Sequence, residues 1–257
     1  MYPITSTTNT KVKLANALQS RARTRRKEGK IVLEGVRLIE DAWVNKIHPL
    51  FVLHTADAVD DLITRMREQG VGVFLVDERV MAHVTETHSP QGIVAVFPTP
   101  QAQLPSEPSR LLILDALQDP GNVGTLIRSA AGAGCDGAVL APGSVDAYNP
   151  KVLRAGMGAH FRIPVAELNW DAIKALDISN IYLATGESKT TYDAVDWTKE
   201  WALIIGSEAH GASDDSHQFA TTPVRIPMAH DTESLNAAMA ATVMLFEAAR
   251  QRRNLDN

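Results

Sequence analysis

Two hydrophobic periods alternate along this chain. Short apolar runs at Ile31–Leu33, Leu50–Leu53, Val71–Val76 and Gln91–Phe97 have the length of strands. Between them, apolar residues recur at helical spacing over 8–27, Gly35–Asn45, Val59–Gln69 and Asp77–His83. Strands that alternate with helices in this way predict a small layered α/β domain. Beyond Pro108 the alternation resumes, with apolar runs at Leu111–Leu114, Cys135–Leu140, Phe161–Val165, Ile181–Thr185, Trp201–Ile205 and Pro223–Ile226. Helical segments are expected at 123–133, 149–157, 170–176 and 214–219. Runs without polar interruption belong to strands covered on both faces, which implies a largely parallel sheet.

Between the two series, residues 98–108 carry four prolines in eleven positions, the composition of a stiff, extended connection. The expected organisation is therefore a domain over 1–98, a linker over 99–108 and a second domain over 109–257. The chain closes with a helix from Ala237 to about Arg253, for which Ser234 is the expected N-cap. Ala237, Ala238, Ala240 and Ala241 occupy one side. Leu235, Met239, Val243 and Phe246 are spaced for the other, and taken alone this is the pattern of an amphipathic helix lying on a sheet. The preceding stretch, Ile226–Asn236, is rich in polar residues, contains Pro227, and is expected to be a loop folded over something.

An apolar content of 45% in 257 residues is ordinary for a chain that buries a full core. No run of eighteen apolar residues exists and the N-terminus has no apolar signal segment, so the expected compartment is the cytoplasm, with no membrane span. The single cysteine, Cys135, excludes an internal disulfide and any multi-cysteine metal site, and is expected to be a small core residue. A net charge of -5 argues weakly against a nucleic-acid partner until it is divided: residues 1–108 sum to +1 and residues 109–257 to -6. Basic residues crowd near the N-terminus, and Arg21, Arg23, Arg25, Arg26 and Lys27 form a candidate phosphate-contacting patch.

Candidate chemistry gathers in three loops that follow strand C-termini, at 115–122, 206–211 and 228–236. Ligands of open α/β sheets bind beyond that edge, so the three can converge. The first leads through Asn122 and Gly124, expected to open a helix, to Arg128, whose guanidinium suits a phosphate. The second sets Glu208 between Gly206 and Gly211. No G-x-G-x-x-G fingerprint of a dinucleotide site is present. His160, His210, His217 and His230 lack metal-ligand spacing and are expected to be structural or surface residues, and no metal site is expected.

Taken together, Asn122/Gly124/Arg128, Gly206/Glu208/Gly211 and Ile226-Pro227-Met228 followed by Ser234-Leu235-Asn236 resemble the SpoU (TrmH-like) RNA 2′-O-methyltransferases of the SPOUT superfamily. Asn149–Ala155 and Phe161–Pro164 are also similar to that family. Leu33–Glu40 and Gln91–Val94 resemble the RNA substrate-binding domain that these enzymes often carry, which is related to ribosomal RNA-binding proteins.

The resemblance implies a C-terminal domain of α/β class with a trefoil knot, a homodimer with its site at the interface, and S-adenosylmethionine as methyl donor. It implies that Gly206, Ile226 and Leu235, with Ile205 and Met228 nearby, line the cofactor pocket. Asn122, Arg128, Glu208, Ser234 and Asn236 would form the catalytic group, and the basic N-terminal patch would dock RNA, ribosomal RNA first. Two departures stand out, since the family often has Ser where Gly156 and Ala238 stand here. A tRNA-directed enzyme of the same chemistry and a catalytically silent RNA-binding assembly factor are the alternatives.

Overall fold

The computed structural model describes residues 2–58, 61–87, 91–230 and 234–255. The chain forms two compact units, Met1–Pro100 with Tyr148–Arg154, and Gln101–Ala147 with Ala155–Asn257.

The first unit begins with helices α1 (Thr10–Ser20) and α2 (Ala22–Glu28). It continues through strand β1 (Lys30–Glu34), helix α3 (Val36–Val44), strand β2 (Phe51–His54) and helix α4 (Asp61–Glu68). Strand β3 (Gly72–Leu75), helix α5 (Glu78–Val84) and strand β4 (Ile93–Pro98) complete it. The sheet order is β1-β4-β2-β3, with β4 antiparallel to both neighbours and β2 parallel to β3. Val12 and Leu18 of α1 and Val80 and Met81 of α5 are buried in one cluster with Val32, Leu53 and Val94 of the sheet. Of the helix expected over Val59–Gln69, Val59 and Asp60 lie outside the described residues.

The single helix expected over 8–27 is instead two. The chain breaks at Arg21, which is extended (φ -129°, ψ 109°). The break frees carbonyls at the end of α1, and the Arg25 guanidinium takes them. Its Nη1 donates to Leu18 O at 2.5 Å and to Gln19 O at 3.3 Å. Arg25 is 4% exposed, so it leaves the expected phosphate patch, whereas Arg21, Arg23, Arg26 and Lys27 remain exposed.

The second unit is built from β5 (Arg110–Leu114), α6 (Pro120–Ala133), β6 (Gly137–Leu140), then, after α7 (Pro150–Gly156), of which residues 150–154 belong to the first unit, β7 (Val165–Glu167) and α8 (Trp170–Lys174). Then come β8 (Ile181–Ala184), β9 (Trp201–Ile205), α9 (Asp214–Phe219), β10 (Thr222–Val224) and α10 (Ala237–Arg253). Its six strands lie in the order β10-β8-β9-β5-β6-β7, and every pairing is parallel. Strands β5 and β9, in mid-sheet, are the unbroken apolar runs, and β9 is buried throughout. In a parallel sheet all strand C-termini face one edge, so the loops after β5, β9 and β10 leave the sheet on the same side.

Proline shifts two boundaries. The strand expected over Phe161–Val165 starts only at Val165, because Pro164 has no N–H for a ladder; its carbonyl still accepts from Ala138 N at 3.0 Å. Helix α6 begins at Pro120 rather than Val123, since proline suits the first helical turn and Asp119 caps it, accepting from Asn122 N at 2.7 Å. Gly124 therefore lies inside the helix and does not open it.

Helix α10 also differs from expectation. Its N-cap is Asn236, not Ser234. Its buried residues are Ala238, Ala241, Met244, Leu245, Ala248 and Ala249, while Met239, Val243 and Phe246 point outward at 63%, 39% and 45% exposure. The reason is its neighbour. Helix α10 packs along α6 rather than on a sheet alone, and small residues let two helix backbones approach. Ser129 and Thr242 hydroxyls meet at 2.7 Å across that seam, and Arg252 Nη2 donates to Ala133 O at 2.7 Å at its far end. Among the described residues, no helix is long and apolar enough to cross a membrane.

Candidate active site

Gly206 follows β9, and the chain doubles back immediately. A Cβ at this position would stand 2.5 Å from Ala212 N and 2.6 Å from the Gly211 carbonyl carbon, so backbone alone fits. Ser207 pairs antiparallel with Gly211, whose N–H donates to Ser207 O at 2.8 Å. Gly211 sits at φ +70°, a conformation open to glycine at little cost. The far side of the reversal is fixed by Asp115, 1% exposed, which accepts from Ser213 N at 2.6 Å and from Ser216 Oγ at 2.7 Å. Glu208 is carried at the tip.

There it meets the other two loops. Asn122 Nδ2 donates to Glu208 Oε1 at 2.5 Å, and Asn236 Nδ2 donates to the same oxygen at 2.8 Å. Asn236 Nδ2 also lies 3.2 Å from Asn122 Oδ1. The orientation of the Asn236 amide follows from its cap. Its Oδ1 accepts from Ala238 N at 3.0 Å and Met239 N at 3.2 Å, so only the nitrogen can face the acid. One carboxylate oxygen of Glu208 is thus saturated by amides, and the other has no hydrogen bond to a described residue.

Glu208 and Asn236 border a cleft of ≈ 790 Å³. Ile205, Gly206, Ile226, Met228, Ser234 and Leu235 line it as well, so the residues expected around a cofactor share one cavity. Residues 231–233 of the loop lie outside the described residues. Arg128 is elsewhere. Six residues along α6 point it about 120° around the helix from Asn122. It is exposed and does not line the cleft, and no hydrogen bond or ion pair joins it to a described residue. Farther along α6, Gly132 lies under the outward Phe246, whose ring would be 3.6 Å from a Cβ there.

The histidines divide. His160 is 2% exposed, and burial lowers its pKa to about 4. It is therefore neutral near pH 7, and its Nε2–H donates to Ala147 O at 3.0 Å. Its ring also accounts for the glycine at 156, because a Cβ there would stand 2.8 Å from His160 Cε1. His210, His217 and His230 are exposed, as expected of surface residues, and the first two also border the cleft. Cys135 is a core thiol whose pKa burial, with help from Asp136, raises to about 12. Ala238 is buried, with its N–H held by Asn236.

Sequence reasoning missed Thr185, Glu187 and Arg225, which also line the cleft. They belong to no motif. The signal was topological, since strands β8 and β10 are parallel neighbours and their C-terminal residues must share the ligand edge.

Residues 109–246 match the SpoU rRNA Methylase family, and residues 9–95 match the MRM3-like substrate binding domain. The chain is 34% identical to human "rRNA methyltransferase 3, mitochondrial", over 89% of this chain and 69% of that protein. It is 33% identical to 23S rRNA (guanosine(2553)-2′-O)-methyltransferase RlmP of Bacillus subtilis, over 96% of this chain and 98% of that one. Among solved structures, the AdoMet-bound rRNA methyltransferase from Sinorhizobium meliloti superposes with a TM-score of 0.84 at 30% identity, covering 97% of each chain.

Proposed function

Because the chain belongs to the SpoU rRNA methylase family, an S-adenosylmethionine-dependent group of RNA methyltransferases, we propose that it methylates a ribose 2′-hydroxyl of ribosomal RNA at the lip of this cleft. The observation that carries the reading is the single Glu208 oxygen gripped by both Asn122 and Asn236 beside the cavity. The cavity also suits the donor. Its volume is within the range of small-molecule sites, and its lining joins apolar Ile205, Ile226 and Leu235 to a few polar groups. In this assignment residues 1–98 dock RNA, 99–108 link, and 109–257 hold the methyltransferase domain.

The bound donor supplies a methyl group on a sulfonium centre, open to in-line displacement. The protein's part is alignment, which can supply much of the rate of such a reaction. With Oε1 of Glu208 occupied by amides, the second oxygen is directed to accept a hydrogen bond from the ribose hydroxyl and relay its proton, a role that the RNA's own phosphate can share. Guanidinium stays protonated, so Arg128 is assigned to hold the 3′ phosphate and stabilise the developing alkoxide. Ser234 lines the same cavity and completes the group.

Arg128 does not line its own chain's cleft, so the reading calls for a homodimer in which the partner subunit's Arg128 completes the site. The outward apolar residues Met239, Val243 and Phe246 supply a self-complementary face for it. The C-terminal domain is proposed to carry the trefoil knot of the family, its last segment threading a loop. Arg21, Arg23, Arg26 and Lys27 are proposed to contact RNA phosphates, and the setting is proposed to be the cytoplasm.

Incubating the protein with S-adenosylmethionine and ribosomal RNA, then mapping ribose methylation by primer extension, tests the reading. A discrete new stop that disappears in Glu208→Gln is expected. Methylation of tRNA alone would move the assignment to the tRNA-directed alternative.

A further inference from the structure

The cleft carries charges that methyl transfer itself leaves unused. Arg225 follows β10 and lines the cavity, and its backbone is tied on both sides. Its N–H donates to Thr190 O at 3.0 Å, and its carbonyl accepts from Tyr192 N at 2.9 Å. The side chain is different. Its Nε is buried without a hydrogen-bond partner, and the guanidinium forms no ion pair with a described residue. A buried guanidinium N–H without a partner is costly, and a guanidinium with no ion pair is open to an anion.

Glu187 lines the same cavity and is exposed, in the turn after β8. Strands β8 and β10 are paired with Ala184 beside Val224, so Thr185 and Arg225 leave the sheet side by side. The turn that holds Glu187 returns at Thr191, which bridges to Arg225. Glu187 has no ion pair or side-chain hydrogen bond to a described residue. A cation and an anion that line one cavity and are not paired with each other complement a zwitterion.

The methyl donor has one zwitterionic part, its aminoacyl end. The adenosyl part is uncharged and suits Ile205, Ile226 and Leu235. The aminoacyl end needs fixed charges, and Glu208 and Asn236 are already engaged with each other. We propose that Arg225 and Glu187 form the subsite for this end, with Arg225 taking the carboxylate and Glu187 the ammonium. The proposal deepens the methyl-donor reading and rests on it.

Binding of S-adenosylmethionine and of its decarboxylated analogue, measured by calorimetry on the full chain, separates the two ideas. Wild type is expected to prefer the carboxylated ligand by at least about tenfold, as for a charge-assisted pair. Arg225→Gln should reduce that preference to about threefold or less, by weakening the carboxylated ligand alone, and Arg225→Lys should fall between. The subsite is overturned if wild type binds both ligands equally, a result that needs no variant to fold. It is also overturned if Arg225→Gln, folded by circular dichroism, weakens both equally. If wild type binds neither ligand, the methyl-donor reading itself fails.

Discussion

Asn236 spends its two amide ends on different tasks: its oxygen caps α10, and its nitrogen, 2.8 Å from Glu208 Oε1, positions the acid. Helix start and candidate chemistry are therefore separable by substitution. Asn236→Asp keeps a capping oxygen but sets a second carboxylate against Glu208. It should retain nearly wild-type thermal stability and lose about a hundredfold in single-turnover methyl transfer. Asn236→Ala should lose the cap as well, at about 1 kcal/mol in denaturant unfolding. Equal activity in Asn236→Asp and wild type would remove Asn236 from the site.

Arg128 is exposed and bonded to no described residue, so Arg128→Ala should leave stability within about 0.5 kcal/mol of wild type while abolishing methyl transfer. Mixing decides whether it acts across subunits. Arg128→Ala and Glu208→Gln proteins, each inactive, should regain about a quarter of wild-type activity when co-refolded, because a mixed dimer rebuilds one intact site. No recovery in dimers shown to have exchanged would place Arg128 in its own subunit's site or outside the reaction.

The basic run contains two kinds of arginine. Arg25→Ala removes the buried donor to Leu18 and Gln19 and should destabilise the first unit by about 2 kcal/mol. Arg23→Ala, at an exposed position, should leave stability unchanged and weaken RNA binding, with the slope of log affinity against log salt reduced by about one unit. If filter binding over a salt series gives both variants the same slope as wild type, the patch does not touch phosphate.

His160 gives the protein a specific acid sensitivity. Its pKa drops from 6.5 to about 4 on folding, so below pH 6.5 the unfolded chain takes up a proton that the folded one refuses. The stabilisation is full above pH 6.5, declines through the window and is gone below about pH 4, a loss of about 3 kcal/mol. Urea unfolding of wild type and His160→Gln at pH 7 and pH 4 should show the wild type losing more by that amount. Parallel losses would mean that the imidazole protonates in the folded state without penalty.

Much of this was legible in the sequence, and the exceptions share a cause. Unbroken apolar runs announced β5 and β9, and the glycines at 206 and 211 announced the reversal between them, because those features are local. The break at Arg21 was not legible, since no glycine or proline marks it and the break depends on burying Arg25 some positions later. The inward face of α10 was misjudged because the larger residues suggested a core, when the surface it meets is another helix. Arg225 and Glu187 stayed invisible because a lone charge in a loop is ordinary until a sheet order makes it a neighbour of a cavity.

Helices α6 and α10 run side by side in the same direction and are fastened at three levels: Asn122 to Asn236 at the heads, Ser129 to Thr242 midway, and Arg252 to Ala133 at the tails. A pair of rods clamped along its length cannot splay at one end alone. The gap between the two head asparagines is thereby held at a set width by hydrogen bonds up to two turns or more distant. Loosening Thr242 or Arg252 should then be felt as a mis-set grip on Glu208, well before either helix melts.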